Sequence, residues 1–216
     1  MSDDQMLNTR AQVSLTEALR RGDLRSGQFL SMPQLVQILG YPMAAVREAA
    51  RHASAAGWLD IIPKRGVQVL EARSETIRDS LDARMVLDQE GARRRIRCDR
   101  LHGLDDLRRA HQDILAQLPR RPEAELAAQA SAVDLSLHDY LAEGLDNAVL
   151  RASYETNRIR IAIIQRVRPF VTERIGSSMQ EHLRIIDALE RRDLAAALEA
   201  ISHHSERTQH WWGGTA

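Results

Sequence analysis

The run Pro42-Met43-Ala44-Ala45-Val46-Arg47-Glu48-Ala49-Ala50-Arg51-His52-Ala53, continued by Gly57-Trp58-Leu59-Asp60-Ile61-Ile62-Pro63-Lys64-Arg65-Gly66-Val67-Gln68-Val69-Leu70, decides the N-terminal architecture. Proline suits the first turn of a helix, where its missing N–H has no partner to lose. Val46, Ala49, Ala50 and Ala53 recur at helical spacing and mark one apolar face. Gly57 ends that helix. Trp58–Ile62 and Gly66–Leu70 then read as two short β runs separated by Pro63-Lys64-Arg65. Working upstream, Ser31 is a fitting N-cap for Pro33–Leu39, which Gly40 closes. Leu15, Ala18 and Leu19 mark a further helix ahead of Gly22. Three helices and a two-stranded ribbon are the plan of a winged helix-turn-helix, expected over 1–72.

Downstream the pattern changes. Glu71–Glu75 is polar and reads as a linker, and no strand pattern follows it. Helices are expected near 75–98, 105–118, 124–143, 147–167, 178–190 and 194–210, with breaks at Pro119–Pro122, Gly144, Pro169 and Gly176. Ser178 with Glu181 three residues on has the form of a capping box. The expected fold is mainly α: the winged unit, then an all-helical domain over 76–212.

The composition fits a soluble globular protein, with 44% hydrophobic and 28% charged residues in 216. No apolar run is long enough for a membrane span. The start Met1-Ser2-Asp3-Asp4-Gln5 lacks the basic and apolar regions of a secretion signal, and the single Cys98 has no internal partner. A cytoplasmic location is expected, with Cys98 as a half-buried small side chain. The net charge is zero, but eight basic residues face four acidic ones between Arg10 and Arg65. A local surplus of that sign favours phosphate contact.

In a helix-turn-helix the second helix enters the major groove, which here presents Arg47 and Arg51. Arginine reads guanine in bidentate fashion. At the ribbon tip, Lys64-Arg65-Gly66 places two cations beside a residue that lets the backbone approach phosphates. Leu19, Gly22, Leu24, Gly27, Leu30, Leu35, Leu39-Gly40, Val46-Arg47-Glu48-Ala49, Gly57-Trp58-Leu59 and Pro63–Val69 together resemble the GntR family of bacterial regulators. The resemblance implies double-stranded DNA with a pseudo-palindromic operator as partner, bound by a homodimer. The chain departs from the family pattern at Pro42-Met43, where a Ser-Arg pair is usual, and at Met32, where an acidic residue is common. Met43 cannot donate to phosphate or base, so the operator cannot be borrowed from relatives.

Asp134 and His138, four residues apart, share one helix face. His182 and His204 each lie eleven residues from Asp193, so a turn there would set them level across a helical hairpin. These four could converge on zinc, nickel or manganese inside a bundle; histidines on helices also commonly cap, pair or face water. Asp134-Leu135-Ser136-Leu137-His138, Asn147, Glu181-His182, Ala188, Asp193, Ala197 and His204, with Arg84 and Leu87-Asp88 upstream, resemble the FCD effector domain of the FadR-type GntR regulators. That resemblance implies a divalent metal, zinc first, on Asp134, His138, His182 and His204, and favours His204 over the adjacent His203. It also implies a small carboxylate effector controlling repression of a catabolic operon. Arg84, Asn157 and Arg160 are the candidates to hold the carboxylate. His52, His102, His111 and His210 are expected at the surface, and Trp211-Trp212-Gly213-Gly214 as a packing tail. The competing reading is a metal-dependent hydrolase or isomerase of small organic acids. No metalloprotease helix, nucleophile elbow or phosphate loop supplies its chemistry, so no enzyme is expected.

Overall fold

Helix α1 (Asp3–Arg21) buries Ala11, Leu15, Ala18 and Leu19 along one stripe, the spacing that let this helix be read in outline. The computed structural model describes residues 3–120, 123–168 and 172–213. Pro122, Pro169 and Gly214, expected as breaks or tail, lie outside them. Strand β1 (Phe29–Leu30) precedes α2 (Met32–Leu39). Ser31 caps α2 through a capping box: its hydroxyl accepts from the Gln34 amide, and Gln34 Oε1 accepts from the Ser31 amide at 2.8 Å. Helix α3 (Met43–Ala55) follows, with Pro42 at the N-cap. Strands β2 (Leu59–Ile62) and β3 (Gly66–Val69) form the expected ribbon. A third strand was not expected: β1 pairs antiparallel with β3, giving the order β1-β3-β2. Two residues are too few to show a β period in sequence. Gly66 is required at this crossing. Its φ of 139° is open to glycine, and a Cβ would collide with the Leu30 carbonyl of β1.

The remaining elements are helices α4 (Ser74–Arg97), α5 (Leu104–Gln117), α6 (Glu123–Glu143), α7 (Ala148–Val167), α8 (Thr172–Glu190) and α9 (Leu194–Trp211). No helix among the described residues is long and apolar enough to cross a membrane. The chain divides into two compact units, 1–76 with 156–168, and 77–155 with 169–216. The first therefore takes in a segment expected in the helical domain. Ile159 and Ile163, one turn apart on α7, are buried in the core built by α1, α3 and the ribbon. Burial of two such side chains favours this packing by about 1.5–3 kcal/mol each. Trp58 Nε1 donates to the Thr156 carbonyl at 2.9 Å, and Arg166 donates to the Arg20 carbonyl at 2.9 and 3.1 Å.

In the helical unit α8 begins at Thr172, so Ser178 is an interior residue and not the cap expected of it. The turn at Asp193 is as read: its side chain accepts from the Ala196 amide at 3.0 Å and opens α9, which packs on α8. Two of the apolar clusters in this unit flank the polar residues of interest. One joins Leu104, Leu137, Leu141, Ile185, Ile186, Leu189 and Ile201, and the other Ile114, Leu126, Ala130, Ile175 and Met179. On α6 and α8, Asp134 and His182 fall between the residues of the two clusters, at positions where the stripe calls for apolar side chains. A polar layer in an apolar stripe is costly unless each group has a partner.

Candidate metal centre and DNA-facing surface

Asp134, His138, His182 and His204 are all buried, and each offers one ligand atom within 4.8 Å of the others. His182 Nε2 stands 3.2 Å from His204 Nε2 and 3.5 Å from Asp134 Oδ1. His203, the neighbour weighed against His204, is exposed.

The partners of the far ring nitrogens decide what the near ones can do. His204 Nδ1 donates to Glu181 Oε2 at 2.8 Å, and His138 Nδ1 stands 2.7 Å from Asp88 Oδ2, which accepts from it when ionised. His111 Nδ1 lies 2.7 Å from the Leu107 carbonyl, which can only accept, so His111 Nε2 carries a lone pair. His182 Nδ1, 3.0 Å from that nitrogen, must then be the donor. A neutral imidazole with its proton on Nδ1 has a lone pair on Nε2. His182 and His204 thus aim two lone pairs at one point beside a carboxylate. A shared cation is what such a donor set fits. Two nitrogens about 2.0–2.1 Å from one ion stand roughly 3.0–3.4 Å apart, as these do.

Electrostatics agree. Burial lowers His204 to about 4, against the pull of Glu181, and His182 falls well below the usual value through burial and the neighbouring imidazoles. Both stay unprotonated near neutrality, the form that ligates. Burial pushes Asp134 and Glu181 upward. For Asp134, the surrounding imidazoles, Arg84 and the Ser178 hydroxyl at 2.7 Å outweigh it; for Glu181, His204 and Arg174 do. Both carboxyls sit below their ordinary range. Asp88 differs: burial dominates and raises it to about 7, against Arg84 and His204.

Sequence reasoning missed most of this outer layer. His111, expected at the surface, is fully buried because α5 turns it inward with Leu104 and Ile114. Ser178 donates to Asp134. Glu181 braces His204 and is itself held by Arg174 Nη1 at 2.8 and 2.9 Å, while Arg174 Nη2 donates to Thr208 Oγ1 at 2.7 Å. Cys98, expected half-buried, is exposed at the end of α4.

The effector candidates part company. Arg84 on α4 is only 4% exposed, and its Nη1 has no hydrogen-bond partner among the described residues. Its charge acts on Asp88, Asp134 and His204. Asn157 and Arg160 belong to the segment of α7 that packs in the other unit. Arg160 Nη2 donates to the Ala56 carbonyl at the end of α3, at 3.1 Å. That bond ties one end of its guanidinium to the helix terminus.

On the winged unit, Arg47 and Arg51 are exposed on α3, one turn apart. Arg51 pairs with Glu48 at 2.5 Å, whereas no ion pair engages Arg47 among the described residues. Lys64 and Arg65 are exposed at the ribbon tip, Lys64 in the left-handed region at φ 61°, and the Arg65 guanidinium lies 5.5 Å from the Phe29 ring.

The family model of the FCD domain matches residues 79–207. No curated protein sequence matches the chain. Among solved structures, E. coli McbR/YncC is similar at a TM-score of 0.72 and 14% identity, covering 99% of this chain and 98% of that one. A transcriptional regulator assigned to GntR, from Rhodococcus sp. RHA1, is similar at 0.69 and 21% identity, covering 97% and 98%. Lar, which controls expression of the Listeria monocytogenes agr system, reaches 0.59 and 11% identity over 99% and 97%. At these identities the likeness is one of fold.

Proposed function

From the premise that this chain belongs to the GntR-type transcriptional regulators carrying an FCD domain, we propose that it is a homodimeric repressor of a catabolic operon, released from its operator by a small carboxylate bound beside a divalent metal. The observation that carries the reading is the convergence of the His182 and His204 lone pairs beside Asp134 in a buried layer. Asp134, His138, His182 and His204 would hold the ion, zinc first by donor set, with nickel or manganese compatible. When bound, the ion would supply a Lewis-acidic charge that attracts carboxylate oxygens. Arg84 would pair with the acid's remaining oxygen, because its buried Nη1 lacks a partner and guanidinium binds carboxylate in charge-assisted fashion. Arg47 would read a base edge and Lys64 and Arg65 a phosphate, with Gly66 keeping the ribbon narrow enough to approach it. Two winged units related by a two-fold axis double the contacts and call for a pseudo-palindromic site.

DNA selected from a random pool by the metal-loaded protein supplies the test. A mixture of small organic and sugar acids should weaken binding to the selected site. A hundredfold loss takes only about 2.7 kcal/mol of differential ligand binding. Arg47→Ala should cost about 1–3 kcal/mol on that site and relax its sequence preference. Turnover of an acid by the metal-loaded chain, with DNA binding unaffected, would overturn the regulator in favour of an enzyme.

A further inference from the structure

Three imidazoles meet at one point, and each is gripped from behind by a side chain that does not reach that point. Asp88 holds His138 from α4, His111 holds His182 from α5, and Glu181 holds His204 from α8. We propose that Asp88, His111 and Glu181 are positioning residues that fix all three ligand histidines in the Nδ1–H tautomer. This rests on the metal reading above. It goes beyond that reading by assigning a role to three residues outside the ligand set.

Hydrogen-bond supply decides the tautomer. A free imidazole places its proton on either nitrogen, and a proton on Nε2 here would point into the space the ion needs. Each backing group removes that option by accepting from Nδ1. For His138 and His204 the acceptor is a carboxylate oxygen. For His182 it is another imidazole, and that one can accept only because its own Nδ1 is tied to the Leu107 carbonyl at 2.7 Å. The chain Leu107–His111–His182 therefore extends the centre to α5, a helix that carries no ligand. Glu181 is anchored in turn: Arg174 donates to both of its oxygens and to Thr208. Backing groups of this kind hold ring orientation as well as tautomer, and their loss typically weakens metal affinity about 10–100-fold.

His111→Leu and His111→Gln separate positioning from packing. Leucine fills the space without an acceptor, whereas the glutamine amide carries a carbonyl oxygen that reaches about as far as Nε2. Both are made in the full chain, loaded with zinc, and titrated against a chelator of known affinity. Histidine-selective nitrogen-15 spectra of the same samples read the tautomers directly. The wild type should have His138, His182 and His204 protonated on Nδ1. His111→Leu should bind zinc about 10–100-fold more weakly, and His111→Gln should recover most of the loss. Glu181→Gln, which keeps an acceptor oxygen for His204 and a partner for Arg174, should preserve the tautomer of His204. Unchanged zinc affinity in His111→Leu would overturn the proposal, as would a zinc-loaded wild type with the proton of any of the three rings on Nε2. A wild-type chain that takes up no zinc, nickel or manganese at all would instead overturn the metal reading, and the proposal with it.

Discussion

Asp88→Asn should deepen the acid sensitivity of the centre once its metal is stripped. The metal-free site holds titrating groups of opposite sign. His204 is lowered from 6.5 to about 4, so on acidification the unfolded chain takes up a proton that the folded one refuses. Its contribution to stability is complete above about pH 6.5 and is lost as the pH falls towards 4. At about 1.4 kcal/mol per pH unit that loss is roughly 3 kcal/mol. His182 and His111, also lowered by burial, act in the same direction. Asp88 is raised from 3.8 to about 7, so the folded chain takes up its proton first. Its term is present below about pH 4, is lost as the pH rises through 7, and is worth roughly 4 kcal/mol. In the wild type the Asp88 trend offsets only part of the histidine loss over this window. Asparagine keeps an oxygen for His138 but cannot titrate. Between about pH 7 and pH 4 the chelated variant should therefore lose roughly 4 kcal/mol more than the chelated wild type, whatever the substitution costs at neutral pH. Urea titrations read from amide cross-peaks of the helical unit isolate its unfolding from that of the winged unit. Parallel pH profiles for the two proteins would refute the assignment of a raised, buried Asp88.

Two further outcomes follow from the same centre. His204→Ala should lose most of the metal, while His203→Ala, whose ring is exposed, should retain it; elemental analysis of both purified proteins decides the matter. Gly91→Ala should force α4 away from α6, because a Cβ at Gly91 would collide with the Leu141 carbonyl. The shift should cost on the order of 1–3 kcal/mol by overpacking and loosen the Asp88–His138 bond, read as a lower melting temperature and weaker zinc retention together.

The winged unit was the more legible half, and the reason is local. Ser31, Gly40, Gly57 and Gly66 each dictate a backbone event within one or two residues, so caps, turns and ribbon could be placed from the sequence alone. What escaped was decided by distant partners. Phe29–Leu30 becomes a strand only because β3 lies beside it. Ile159 and Ile163 look like any apolar pair on a long helix, and nothing in their spacing says which core receives them. Arg160 suits an anion by residue type, and its bond to the Ala56 carbonyl, 104 residues away, is equally silent in the sequence.

The centre itself was legible to the depth of its ligands and no further, and the physical reason lies in the two apolar clusters. Leu126 and Ala130 precede Asp134 on α6, with Leu137 and Leu141 beyond it. Ile175 and Met179 precede His182 on α8, with Ile186 and Leu189 beyond it. A polar residue inside such a stripe must be paid for by a partner, and that interruption is readable from one sequence. The same test applied to α5 would have flagged His111, which continues the stripe of Leu104 and Leu107 and precedes Ile114. It was passed over because its partner is another histidine, His182, 71 residues away. Residues that hold ligands, unlike the ligands themselves, need only a hydrogen bond. Serine, aspartate, glutamate, histidine or a backbone carbonyl can each serve, so no fixed residue type or spacing announces them. In this chain Ser178, Asp88, Glu181, His111 and the Leu107 carbonyl divide that work among three helices.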